Sequence, residues 1–162
     1  MTDIWIRPSR PEYMDAIEAV NEAAFGGPDE GRITRALHAD GDSVLSLVAA
    51  GSVEIAGHIE FFRIRIDGAP VGVGLGPMSV LPEFQKKGIG ASLIRLGLTA
   101  LEGAGETIVL VLGHETYYPK FGFAAETAQP FRAPWSGSSF MALRLAPGGP
   151  ASGELTYPAA FG

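Results

Sequence analysis

The stretch from Gly76 to Ala91, GPMSVLPEFQKKGIGA, constrains this chain more than any other. It reads as an apolar strand, a short turn led by Pro82, and a helix start running through Gln85, Lys86, Lys87, Gly88, Ile89, Gly90 and Ala91. The first N–H groups of a helix have no partner within it, and the aligned peptide dipoles make that end positive. Glycines at 88 and 90 remove the Cβ atoms that would hold a bulky anion away from the main chain. The pattern suits a pyrophosphate at the end of a strand, and hence a phosphate-bearing cofactor. The plainer alternative, an ordinary strand-to-helix turn with two convenient glycines, stays open on spacing alone. Two other phosphate signatures are missing. No Gly-Lys-Ser/Thr run occurs, and Gly72, Gly74 and Gly76 lie inside a strand at the wrong spacing for a dinucleotide fingerprint.

With 162 residues, 46% of them hydrophobic and 19% charged, the chain has the length and composition of one globular domain spanning 1–162. It lacks cysteine, which removes both a disulfide framework and a thiolate nucleophile. A formal net charge of −6 argues against a general nucleic-acid binder, which needs a basic face. The one adjacent basic pair, Lys86-Lys87, falls on the phosphate turn. The acidic surface either attracts cationic amines or serves solubility alone. The opening MTDIWIRPSRPEY has no secretory apolar region, and Gly68 to Pro82 is too short and too broken to span a bilayer. A cytoplasmic protein with no membrane partner is the expectation. His38, His58 and His114 are widely separated, so no metal site is expected.

Periodicity predicts a strand over Ile4 to Arg7 and a helix entered at Pro11, with Met14, Ile17, Val20 and Ala24 at helical spacing. Gly26-Gly27-Pro28 stops that helix, and a second runs from Asp29 to Gly41. Strands are predicted over Ser43 to Ala50, Val53 to Ile66 and Val71 to Val80, with Asp67-Gly68 as a hairpin turn. Ile55, Ile59 and Phe61 share one face of the second of these, and His58, Glu60, Phe62, Ile64 and Ile66 the other. Both faces should therefore be covered, or the strand bulged near Phe61-Phe62. A helix carrying Ile89, Leu93 and Leu96 follows, then a buried parallel strand over Thr107 to Leu112. This makes one right-handed crossover. His114 to Lys120 reads as a short helix or turn. Gly122 to Ala125 and Phe140 to Leu145 read as late strands, and Leu155 to Tyr157 as an edge strand. The fold class is α/β of the α+β type: a mixed, mostly antiparallel sheet with a central parallel pair.

Q-x-x-G-x-G-A after V-x-P resembles motif A of the GNAT superfamily of acetyl-CoA-dependent N-acyltransferases. Tyr117-Tyr118-Pro119-Lys120-Phe121-Gly122-Phe123 resembles that superfamily's aromatic-Tyr-x-Lys-apolar-Gly-Phe signature, in the right order and at the right separation. Ala24 to Pro28, Phe140 to Leu143 and Tyr157 to Phe161 extend the resemblance to the YhbS-like branch of predicted acetyltransferases. The resemblance implies helices on both sheet faces and parallel strands that splay around acetyl-CoA. Residues 147–162 would be a C-terminal extension packed on the domain. Main-chain groups of Met78, Ser79 and Val80 would pair with the pantetheine arm, and Gln85 to Ala91 would hold the pyrophosphate. Acyl transfer to a small-molecule, peptide or protein amine by direct attack in a ternary complex is then expected. A non-catalytic acyl-CoA-binding module is the alternative, and a homodimer is a common superfamily outcome.

Tyr118 aligns with the tyrosine that protonates the leaving thiolate, with Tyr117 as its neighbour and a core aromatic as the alternative role. Pro119 disfavours helical geometry at Tyr118. No single base is specified: Glu60, His58, His114 and Glu115 are candidates, as is a water chain. Glu60 is the one carboxylate inside an otherwise apolar strand, with an ion pair to Arg63 as the competing reading. His114 stands where the second parallel strand ends. By position in the family fold, Phe25 to Asp29, Glu60 to Phe62 and the tail near Tyr157 would line the acceptor pocket.

Overall fold

The computed structural model describes residues 3–162, so Met1 and Thr2 of the expected 1–162 domain lie outside the described residues. Strand β1 (Trp5–Pro8) precedes helices α1 (Met14–Phe25) and α2 (Asp29–Ala39). Strands β2 (Ser43–Ala50), β3 (Ile55–Ile66) and β4 (Ala69–Val80) form an antiparallel meander. Helix α3 (Ile89–Gly103) then crosses to β5 (Ile108–Leu112), which runs parallel to β4. Helix α4 (Ala125–Ala128) and strands β6 (Phe131–Arg132), β7 (Phe140–Arg144) and β8 (Gly153–Thr156) complete the chain. The main path of the sheet is β1-β2-β3-β4-β5-β7. This is the mixed sheet with a central parallel pair that the sequence predicts. An unanticipated second parallel ladder, β6 with β8, is very short, and β8 also pairs with the end of β3 through Arg65–Thr156 and Ile66–Leu155. No helix among the described residues is long and apolar enough to cross a membrane.

Alternation in the strands explains the layers. Leu47, Ala49, Ile59 and Phe61 face α3 and pack with its Leu93, Ile94 and Leu101. The intervening residues face the other way: Val48 and Ala50 meet Ile17 of α1, and Phe62, Ile64 and Ile66 pack with Leu37 of α2. Burial on both faces is why β3 shows no polar side in sequence.

Several boundaries differ from expectation, two of them by more than fraying at an element's end. Strand β3 begins at Ile55, since Val53 sits in a bend and is 92% exposed. Gly122 to Ala125 is not a strand. Gly122 adopts a left-handed φ of 100°, Ala124 makes a single bridge to Ala142, and the helix-favouring run Ala125-Glu126-Thr127-Ala128 forms α4.

At Gly97, α3 lies directly against the Phe61 ring of the sheet. A Cβ there would lie 2.4 Å from Cε2 and 2.6 Å from Cζ of the fully buried Phe61. Gly97→Ala gains helix propensity but forces that ring to move in a filled core. We expect a net destabilisation of about 1–3 kcal/mol, read from chemical denaturation. An unchanged or higher midpoint would show that the ring has room to yield.

Candidate active site

The turn after β4 is built from left-handed backbone. Pro82–Phe84 forms a 3-10 turn, and Lys86 and Gly88 then take φ of 63° and 84°. Those dihedrals cannot belong to an α-helix, so α3 begins at Ile89 rather than at Gln85. Gln85 acts as a brace: its side-chain Nε2 donates to the Val80 carbonyl at 2.9 Å, tying the turn to the strand end. From Lys86 to Ala91 no main-chain N–H donates to a carbonyl among the described residues, and the first bond is from Ser92 N–H to the Gly88 carbonyl at 3.0 Å. Free N–H groups on a backbone that turns left-handed at Lys86 and again at Gly88 can curl around a common point, which makes this turn the candidate anion nest. A non-glycine residue held at positive φ is the kind of local strain that clusters at binding sites. Lys87 leans over the Phe84 ring at 5.8 Å.

Gly90 is also a packing position. A Cβ there would stand 3.3 Å from the Sδ and Cε of Met78 and 3.4 Å from the Tyr117 hydroxyl. The helix start therefore packs directly on β4 and on the aromatic turn.

Three cavities run from this nest. The first, about 500 Å³, lies between the end of α1, the Met78–Val80 end of β4 and the turn. The sequence-predicted set Met78, Ser79, Val80, Gln85, Lys86, Gly88, Ile89, Gly90 and Ala91 meets there, while Lys87 faces a neighbouring cavity beside Ile4 and Ser92. The second, about 460 Å³, opens where β4 and β5 part. Their pairing stops at Leu75 and Val111. Opposite β3, β4 carries an extra residue, since Phe61 pairs with Leu75 but Ile59 with Met78. This bulge at Gly76-Pro77 bends β4 at the point where the strands separate. The third cavity, about 310 Å³, continues past Leu75, Gly76 and Pro77 to Phe62, Trp135, Tyr157 and Phe161.

Both tyrosines reach the second cavity. Pro119 leaves Tyr118 at the start of a 3-10 turn, Tyr118–Phe121, rather than on a regular helix. Its ring packs edge-on to Phe123 at 5.8 Å and against Gly113, where a Cβ would come within 2.4 Å. Its hydroxyl makes no hydrogen bond among the described residues. Burial, with a smaller contribution from Tyr117, pushes its pKa up to about 12. Tyr117 is half-buried, touches the first and second cavities, and is also raised by burial, partly offset by Arg95. His114 is exposed at the edge of the second cavity, and its carbonyl accepts from the N–H groups of Tyr117 and Tyr118 at 3.1 and 3.2 Å. Glu115 is exposed and lines none of the three cavities.

Glu60 sits elsewhere. It is fully buried under α1 and α2, lines none of the three cavities, and is not paired with Arg63, which binds Glu106 instead at 2.8 Å. Its Oε1 accepts from His38 Nε2 and His58 Nε2, both at 3.0 Å, and its Oε2 accepts from the Ser43 hydroxyl. Burial alone would raise its pKa, but the His38, His58 and Ser43 hydrogen bonds outweigh that and hold it below the usual carboxylate value. The partners extend the network. Asn21 Nδ2 donates to the Ile17 carbonyl at 2.9 Å and meets His58 Nδ1 at 3.2 Å. With the amide oriented by Ile17, His58 Nδ1 accepts from Asn21 and Nε2–H donates to Glu60. Sequence reasoning isolated Glu60 but missed Asn21 and His38. The available signal was an Asn within the apolar stripe of α1.

The fold coincides with that of a known family. A family model described as the acetyltransferase (GNAT) family matches residues 5–123, and the chain belongs to that family. Over 112 residues it is 39% identical to the uncharacterized N-acetyltransferase YjhQ of Escherichia coli K12, covering 66% of this chain and 62% of YjhQ. The chain thus spans less than two thirds of that relative's length. A Brucella melitensis GNAT acetyltransferase solved with acetyl-CoA is 40% identical, with a TM-score of 0.85 and 99% of each chain covered. Escherichia coli YhbS, solved with CoA, is 27% identical, with a TM-score of 0.91 over 99% of this chain and 93% of that one.

Proposed function

We propose that this protein moves an acetyl group from acetyl-CoA to a primary amine by direct attack in a ternary complex. The observation that carries the reading is the continuity of the cavities: an anion nest at one end, parted strands in the middle, and a separate pocket beyond. Phe25 borders all three cavities, and Met78 and Tyr117 border the first two. The pyrophosphate would lie on the Lys86–Ala91 nest and the pantetheine arm along Met78–Val80. Its thioester would then reach the parted strands, and the acceptor would come from the far side. The acetyl-CoA-bound Brucella relative supports the same cofactor here.

In the transfer, the amine lone pair attacks the thioester carbonyl. A C–N bond forms, the C–S bond breaks, and one amine proton is lost as the thiolate gains one. Pro77 has no N–H, so a neighbouring main-chain N–H of β4 would hold the oxyanion. His114, at the cavity edge, is the group best placed to take the amine proton to solvent. Glu60, already saturated and outside the cavities, is a positioning residue instead.

Tyr118 would face the departing sulfur. A phenol near 12 is a weaker acid than a thiol near ~8.5, so full transfer to the thiolate is uphill by roughly 5 kcal/mol. Its contribution is therefore a hydrogen bond to the sulfur charge, with the proton following from the amine. Losing one hydrogen bond to a charged group costs about 1.5–3 kcal/mol, so Tyr118→Phe should lower kcat roughly 10- to 150-fold with little change in CoA affinity. Tyr117→Phe should cost much less. Equal, near-wild-type turnover of the two variants would return Tyr118 to a packing role.

One observation favours a non-catalytic acyl-CoA-binding module instead: no carboxylate lines the second cavity. CoA release in the presence of an amine panel separates the two readings. CoA binding without transfer to any amine would leave the module.

A further inference from the structure

We infer that the third cavity selects a compact primary amine whose body is a flat apolar or aromatic ring, rather than a polyamine, an amino sugar or a protein lysine. This rests on the reading above, in which the acceptor approaches the parted strands from that cavity. Its volume of about 310 Å³ stands at the small end of the range for small-molecule sites and leaves little room for a peptide segment.

Its walls are aromatic. Phe62 lies 4.6 Å from Phe161 and 5.7 Å from Tyr157, and Trp135 meets Tyr157 edge-on at 4.6 Å, all centroid to centroid. Such a set offers ring faces and edges to another ring, which pair favourably beyond the area they bury. A polyamine or sugar would exchange its hydration for these faces and recover few hydrogen bonds.

Two polar groups refine the class. The Trp135 indole N–H is buried without a partner. It lies near enough to the Tyr157 phenol to favour that group's ionised form, against a larger rise from burial, but no hydrogen bond closes between them. A ring bearing an oxygen acceptor would satisfy that N–H once the Tyr157 phenol beside it turns aside. Glu30 is the one carboxylate on the lining and has no ion pair among the described residues. It attracts an incoming ammonium, which must lose its proton before attack. For the transfer read above, the amine end then points past Gly76-Pro77 toward the thioester, and the ring stays behind among Phe62, Trp135 and Phe161.

The test is an initial-rate panel with acetyl-CoA and 2-phenylethylamine, 4-methoxyphenethylamine, spermidine, glucosamine and a lysine peptide. Each is also titrated calorimetrically into the CoA-loaded protein. We expect the two aryl amines to exceed the others by at least tenfold in kcat/KM. The methoxy compound should lead by about 2- to 10-fold, the range for one neutral hydrogen bond, and Trp135→Phe should abolish that lead. Phe161→Ala should raise KM for both aryl amines while leaving CoA affinity within twofold. Faster transfer to spermidine, glucosamine or the peptide would overturn this inference and leave the acetyltransferase reading standing. Aryl amines that bind in a Trp135-dependent way without transfer would uphold the pocket and overturn the catalytic reading. Neither binding nor transfer of any aryl amine would overturn the inference outright.

Discussion

Glu60→Ala should destabilise the protein by about 3–5 kcal/mol, the range for removing one partner from a buried charged cluster. The wild-type carboxylate gathers His38, His58 and Ser43 in the space between α1, α2 and β3. Its removal leaves a cavity and leaves the N–H of the fully buried His58 imidazole only the long 3.4 Å contact to the Ser46 hydroxyl, while His38, with a side chain 28% exposed, can still turn to water. Glu60→Gln should be far milder. The amide oxygen can accept from both imidazoles as Oε1 does, and the amide N–H can donate to the Ser43 hydroxyl. Urea denaturation of both variants checks the contrast. Equal losses would show that shape, and not hydrogen bonding, makes Glu60 matter.

The same cluster fixes a pH dependence. The native pKa of Glu60 is lowered from 4.5 and that of His38 is raised from 6.5. A lowered carboxylate adds stability above its unfolded value and loses it as pH falls through its native value. A raised histidine adds stability that is complete below its unfolded value and fades as pH climbs through its native value. The two overlap in mildly acidic solution, roughly between pH 4.5 and 6.5, where the cluster's contribution should peak. In Glu60→Gln both limbs should flatten. The cluster also bears on the site, since α1 and α2, which it anchors, supply Phe25, Glu30 and Ile33 to the third cavity.

Strands and helices of this chain were legible wherever a stripe or alternation repeated over several residues. Strand β3 is the instructive case: its apolar residues on both faces announced two covering layers, and α3 and the α1–α2 pair are those layers. What stayed hidden depended on meetings distant in sequence. Arg63 looked like a neighbour for Glu60, yet alternation puts the two on opposite faces of β3, and the true partners come from β2, α2 and β3 itself. Trp135 stands in a loop of Pro, Ser and Gly with no periodicity to place it, and only the β6–β8 ladder and the returning tail bring it to Tyr157. The helix start was placed early because the turn led by Pro82 reads as ending at Gln85. The left-handed backbone at Lys86 and Gly88, which no periodicity announces, delays the helix to Ile89.

Gly90→Asp should separate the cofactor site from the fold, because the new carboxylate acts with opposite sign on the two. Gly90 is the second residue of α3, among free N–H groups. An aspartate there can cap those groups itself, worth about 0.3–1 kcal/mol to a helix. The nearest obstruction to its Cβ is the flexible end of Met78 at 3.3 Å, which can shift by the small amount required. Without ligand, therefore, the variant should melt within a few degrees of wild type. With CoA the result inverts. The carboxylate occupies the nest and repels the pyrophosphate, and losing two charge-assisted hydrogen bonds at about 1.5–3 kcal/mol each lowers affinity by at least 100-fold. Wild type should gain melting temperature with rising CoA by mass action, and Gly90→Asp should not. Gly90→Ala supplies the steric control, since it meets the same Met78 contact without the charge and should bind CoA within a few-fold of wild type. Loss of binding in the alanine variant equal to that in the aspartate would make packing against Met78 and Tyr117 the reason for glycine. Undiminished binding in the aspartate variant would move the pyrophosphate away from this turn.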